Sequence, residues 1–173
     1  MQTVRLPELH GDPIEIVFLP SLKAHRGKLL SGHRDGVEIH AASFLRQRQI
    51  VFDTQLKQDP QELSRIYAHE LAHFAWVRLG NARRRSWEAL LDGEGMGGEL
   101  GWSAEWRKQA LSAADRRRRT RRWREYVCES FCDTAAWLFS DARRSGEFTL
   151  PVRARRARRR WFVEADLVLR ISV

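Results

Sequence analysis

His69-Glu70-Leu71-Ala72-His73 sets two imidazoles four residues apart, with a carboxylate directly after the first. On an α-helix four residues advance about 400°, so His69 and His73 project side by side from one face and can grip one metal ion. Neutral imidazole is a good zinc ligand, and Glu70, one step round the helix, would stand beside a metal-bound water as its general base. The three side chains sit among Ile66, Tyr67, Phe74 and Val77, where burying ionisable groups is costly without partners or a metal.

A catalytic zinc usually takes three protein ligands and keeps a fourth position open. No histidine follows His73, and Trp76 and Leu79 stand where an extended HExxHxxGxxH pattern needs Gly and His. The third ligand must then be a downstream carboxylate or cysteine, or one of His10, His25, His33 and His40. The best downstream stretch runs from Glu125 to Phe139, where Glu125, Glu129 and Asp133 recur every four residues along one helix stripe. Acids stacked in this way repel one another, and a nearby cation relieves them. The stripe borders an apolar face of Val127, Phe131, Ala135 and Leu138, so Glu129 can point toward the core side. Cys128 and Cys132 are the rivals. Four apart on a helix they are poorly placed for a mutual disulfide, but with the two histidines they would close a tetrahedral structural site.

HExxH on one helix and Glu129-Ser-Phe-Cys-Asp133 on a later one resemble the gluzincin group of zinc metallopeptidases. The spelling continued through Trp137-Leu138-Phe139 is similar to small ImmA/IrrE-like and minimal gluzincin domains, over about residues 36–140. The resemblance implies a zincin-like fold with zinc as cofactor, held by His69, His73 and Glu129. It makes Glu70 the general base and Asp133 the residue that orients a ligating histidine through its second ring nitrogen. It also implies a peptide or protein substrate aligned by main-chain pairing on an exposed strand edge. No residue matches the Tyr or His that stabilises the oxyanion in larger gluzincins. Tyr67 and Tyr126 are the only tyrosines, and packing accounts for either.

Elements that would position these groups can be read from periodicity. Residues 13–19, 36–40 and 49–53 carry β-branched and aromatic side chains in partial alternation, bounded by Gly11-Asp12-Pro13 and Asp35-Gly36, which predicts a small, mainly antiparallel sheet. From Asp59-Pro60 the period becomes helical. Asp59 is placed to cap, Glu62 to complete a capping box, and the helix runs to Gly80-Asn81. Further helices are expected over 82–91, 103–110 and, as one long or two shorter pieces, 113–140. Five glycines within 93–101 read as a flexible connection, or as a flap beside a site. Short β-like pieces are expected at 147–152 and 162–173. The fold class is α+β, a small N-terminal sheet packed on a helical core that carries both motifs, in a single domain over 1–173.

The 173 residues include 31 Lys plus Arg against 22 Asp plus Glu, a net charge of +9, with seven Trp and eight Phe to build a core. That core excludes a disordered chain, and two cysteines exclude a disulfide scaffold. Neither a leader nor an apolar span is expected, which predicts a cytoplasmic chain without a membrane partner. Arginines concentrate at 83–85, 116–124 and 153–160, the latter two beside Trp123 and Trp161. Such density attracts phosphates, though no nucleic-acid motif accompanies it. The alternative to a peptidase is therefore a basic nucleic-acid-binding or regulatory protein with a structural zinc site.

Overall fold

Two aspartates mark the passage from strands to helices with their own side chains. The chain is described by a computed structural model at residues 6–32, 35–95, 97–140, 146 and 148–173. The Asp53 carboxylate accepts from Gln55 N–H at 2.9 Å and from Leu22 N–H at 2.8 Å, opening the 3-10 turn Thr54–Gln58. Asp59 accepts from Glu62 N–H at 3.0 Å and Pro60 occupies the first turn of α1 (Pro60–Arg78), as the sequence predicts. The reciprocal arm of the expected capping box is not made: Asp59 N–H goes to the Leu56 carbonyl, and the Glu62 carboxylate pairs with Arg65 at 2.5 Å.

The architecture is mixed α+β, but among the described residues the expected single sheet is three small ones. Strand β1 (Glu8–His10) pairs in parallel with β8 (Arg170–Ser172), near the far end of the chain. Strands β3 (Leu22–His25), β4 (Lys28–Ser31) and β5 (Val37–Glu38) form an antiparallel sheet in the order β4-β3-β5. The third sheet has the order β2-β7-β6, with β2 (Glu15–Leu19) parallel to β7 (Gln49–Asp53) and β6 (Ala41–Phe44) antiparallel to it. Alternation shows where a strand lies and not which strand it pairs with, so the parallel β2-β7 pair is invisible in sequence. Ile50, Val51 and Phe52 of β7 are buried, and β6 is the edge strand that flanks α1.

Helix α1 packs along α5 (Arg121–Phe139) through one continuous core. Around this pair lie α2 (Gly80–Gly93), α3 (Trp102–Gln109), α4 (Ala113–Arg118) and α6 (Val152–Glu164). The α6 helix corrects the expectation of β-like pieces flanking an arginine run. Ala and Arg are strong helix formers, and Phe162 anchors the helix by stacking on Phe131 at 5.0 Å and meeting Trp87 edge-on at 5.8 Å. Residues 148–150 are not a strand, and Glu147 lies outside the described residues, as do Met1 to Arg5 and His33. Among the described residues no helix is long and apolar enough to cross a membrane.

Several arginines of the runs serve the fold itself. Arg119 ends α4 in the left-handed conformation and pairs with Asp92 on α2, while its guanidinium covers Trp123 at 4.8 Å. Arg155 donates to the Phe148 and Leu150 carbonyls. Arg158 is wholly buried, and its guanidinium donates to Glu94 and to Glu99 at 2.7 Å each. Lys108 and the Tyr126 hydroxyl complete the surroundings of Glu99, at 3.1 and 2.6 Å.

This network pins the glycine-rich stretch that the sequence reads as a flexible connection or flap. Glu99 N–H donates to the Thr149 hydroxyl and its carbonyl accepts from Thr149 and Leu150 N–H, all at 2.9 Å. Gly98 has φ +60°, and a Cβ there would overlap the Thr149 carbonyl, so glycine serves close approach here. Burial pushes the Glu99 carboxyl up, but Arg158 and Lys108 outweigh it and hold it below its ordinary value. Its contribution to stability is thus present above the ordinary carboxylate range and lost as pH falls through its depressed folded value. Replacing Arg158 by Leu leaves the buried Glu94 and Glu99 side chains without their guanidinium partner, with Glu99 keeping Lys108 and the Tyr126 hydroxyl. Urea unfolding should show a loss of about 3–5 kcal/mol, and a loss under about 1 kcal/mol would contradict the network's role.

Candidate metal centre

Facing turns of α1 and α5 bring together most of the residues singled out in the sequence. His69 Nδ1 lies 2.8 Å from Asp133 Oδ1, and its Nε2 lies 3.3 Å from Glu129 Oε2. The His69 and His73 rings meet edge to face with centroids 5.1 Å apart. His73 Nδ1 faces both thiols, Cys132 Sγ at 3.4 Å and Cys128 Sγ at 3.6 Å. The ligand atoms of His69, His73 and Cys132 all fall within 4.8 Å of one another, a group that can hold a metal ion. Glu70 Oε2 accepts a hydrogen bond from the Ser43 hydroxyl at 2.6 Å, which ties the carboxylate to the edge strand β6.

The donor set suits a cation. Two ligands of one tetrahedral zinc stand about 3.3–3.5 Å apart, and both the His69–Glu129 and His73–Cys132 separations match such an edge. Without an ion the two imidazoles favour their protonated forms. Burial alone would lower both imidazoles, but Asp133 and Glu129 raise His69 well above its ordinary value, and Cys128, Glu129 and Glu70 raise His73 to about 9. For Glu129 burial is outweighed by the two histidines and Arg107, which bring it down to about 2. The Cys132 contact and His73 lower Cys128 to about 6, whereas burial pushes the Cys132 thiol up. An ion binding here displaces those protons from the imidazoles.

Asp133 is more deeply set than the other acids of its stripe. Its side chain is 2% exposed against 15% for Glu129 and 45% for Glu125, which pairs with Arg121 at the surface. The second oxygen of Asp133 accepts from the Ala104 N–H at 2.9 Å, in the first turn of α3. Gly101 comes so close that a Cβ on it would overlap the carboxylate. Sequence reasoning did not find α3 as a wall of the site. Gly101 was the available signal, hidden among five glycines that read as a loop. Ser43 and β6 were also missed, because Ala41-Ala42-Ser43-Phe44 carries little strand signal.

Two adjoining hollows of about 400 and 360 Å³ open over the cluster and share Ile39, Ala41, His69, Glu70, Trp102 and Ser103 in their walls. Of the upstream histidines proposed as ligands, His40 lines the larger hollow, His10 and His25 lie on β1 and β3, and His33 is outside the described residues. The Tyr126 hydroxyl is committed to Glu99, Tyr67 packs its ring against Phe52 at 6.2 Å, and neither tyrosine lines the two hollows.

Compared with family models, curated proteins and solved structures, the chain matches none. Its reading rests on the residues and their geometry. If Asp133 orients His69, Gly101→Ala should displace that carboxylate and weaken zinc binding about 10- to 100-fold. Competition with a chromogenic chelator measures this, and an affinity equal to wild type would remove Asp133 from the site.

Proposed function

We propose that the chain is a zinc metallopeptidase of gluzincin type, with His69, His73 and Glu129 as ligands and Glu70 as general base. The observation that carries the reading is the two-sided engagement of His69. Its Nδ1 is taken by the buried Asp133 and its Nε2 turns to Glu129, the arrangement in which a carboxylate fixes the tautomer and aims the other nitrogen at a metal. Zinc bound there would supply a Lewis acid and lower the pKa of water.

The remaining work falls to the chain's own side chains. Glu70 takes the proton of the attacking water, and Ser43 keeps its carboxylate turned toward the cleft. The outer edge of β6 offers backbone groups to an extended peptide, and Ile39, Ala41 and Ala42 line the hollow beside it. Trp102 and Trp106, 64% and 42% exposed and 5.9 Å apart, form an aromatic wall on the other side. Large exposed indoles at a cleft suit apolar side chains of a substrate.

A second reading is favoured by the His73–Cys132 distance. In it the two cysteines close the site with both histidines, and the ion serves only to join α1 to α5 within a basic nucleic-acid-binding protein. Glu70→Gln separates the readings. For a peptidase, cleavage of a mixed peptide library followed by mass spectrometry should fall at least about 100-fold while zinc is retained. Zinc-loaded wild-type protein that cleaves no peptide, or Glu70→Gln protein that cleaves as well as wild type, would contradict the peptidase reading.

A further inference from the structure

Arg107 is a cation built into the wall of the cleft, and neither the metal ligands nor the general base accounts for it. Its stem is fixed on α3. The guanidinium lies over the Trp106 ring at 4.3 Å from the centroid, and Nη1 donates to the Ser103 carbonyl at 2.7 Å. It lines the smaller hollow together with His69, Glu70, His73 and Glu129. Nη2 approaches Glu129 Oε1 only to 3.5 Å, beyond the usual length of a charge-assisted bond, while the other oxygen of Glu129 turns to His69. Nε is buried and has no hydrogen-bond partner. A guanidinium has five donors; with Nε closed off from water and one Nη1 donor on Ser103, the other three on Nη1 and Nη2 are left for a ligand.

Water adding to a peptide carbonyl creates a negative charge in this space. The new C–O bond forms as the carbonyl π pair moves onto its oxygen, and the water's proton passes to Glu70. When the C–N bond then breaks, that proton goes to the leaving amine and the oxyanion returns to a carbonyl. Among the described residues no tyrosine lines either hollow to meet the transient oxygen, and the Tyr126 hydroxyl serves Glu99. Resting on the peptidase reading above, we propose that Arg107 is the anion-binding group of the cleft and holds this oxyanion through its spare donors. Pre-organised charge of this kind acts where charge develops and needs no rearrangement during the reaction. Stacking on Trp106 and the bond to Ser103 supply the pre-organisation.

Cobalt-loaded protein offers a readout independent of turnover, because its visible spectrum reports ligands entering the metal's open position. Methylphosphonate, a tetrahedral anion, and imidazole, a neutral ligand, serve as probes for wild type, Arg107→Gln and Arg107→Lys. The proposal expects methylphosphonate to bind Arg107→Gln about 10- to 100-fold more weakly, the worth of one hydrogen bond to a charged group. Imidazole binding should be unchanged, and Arg107→Lys, which keeps the charge but not the fork, should recover part of the affinity. Equal methylphosphonate affinity in all three proteins would overturn the proposal. Loss of cobalt from Arg107→Gln would also overturn it, by making Arg107 an anchor for Glu129. Wild-type protein that takes up no cobalt would instead refute the metal site itself.

Discussion

A carboxylate that is almost wholly removed from water must be satisfied on every side, and the Asp133 side chain meets that demand by joining three helices. It grows from α5, takes the imidazole of His69 on α1, and accepts a backbone N–H from Ala104 on α3. An unpaired charge there would cost several kcal/mol, roughly a large share of a small domain's stability. The crossing of α1 and α5 and the start of α3 are therefore fixed against one another by one group. The same contact determines which nitrogen of His69 faces Glu129.

Around this contact the buried ion network of Glu99, Arg158 and Lys108 performs a supporting task. It holds the stretch just before α3, so that Gly101 can approach Asp133 and Trp102, Ser103 and Arg107 come to line the cleft. A buried ion pair is a poor source of net stability and a good source of fixed geometry. Here its location makes sense of the expense: the segment it fixes forms a wall of the hollow above the two histidines. The high positive charge of the sequence is in part consumed in this way, since Arg119, Arg155 and Arg158 each hold the fold together.

Legibility in the sequence followed the range of each interaction. Helix α1 was readable from its cap and its periodicity, both local; His69 contacts Glu129 and Asp133 across the two motif helices, while the group that can hold an ion joins Cys132 to the two histidines. The strand at 49–53 was placed to the residue, yet its parallel partner was not, because pairing depends on a return of the chain that local alternation does not encode. The arginine run at 153–160 was read as the separator of two β-like pieces, and its charge as a solvated face or a phosphate-attracting patch. Burial of Arg158 against two acids from the glycine-rich stretch makes it a helix of the core. Arg107 and Ser43 gave no signal, being ordinary residues that become part of the site only when α3 and β6 close over it. The cysteines were noticed as rivals to Glu129, and their contact with His73 keeps that rivalry alive in the geometry.

The central claim is that α1 and α5 share one metal ion, and metal content by mass spectrometry tests it most directly. Wild type, His69→Ala and Glu129→Ala would each be dialysed against a weak chelator before measurement. About one zinc per chain in wild type, lost in both variants, is the predicted result. Wild-type protein that is metal-free and takes up no added zinc would contradict the claim.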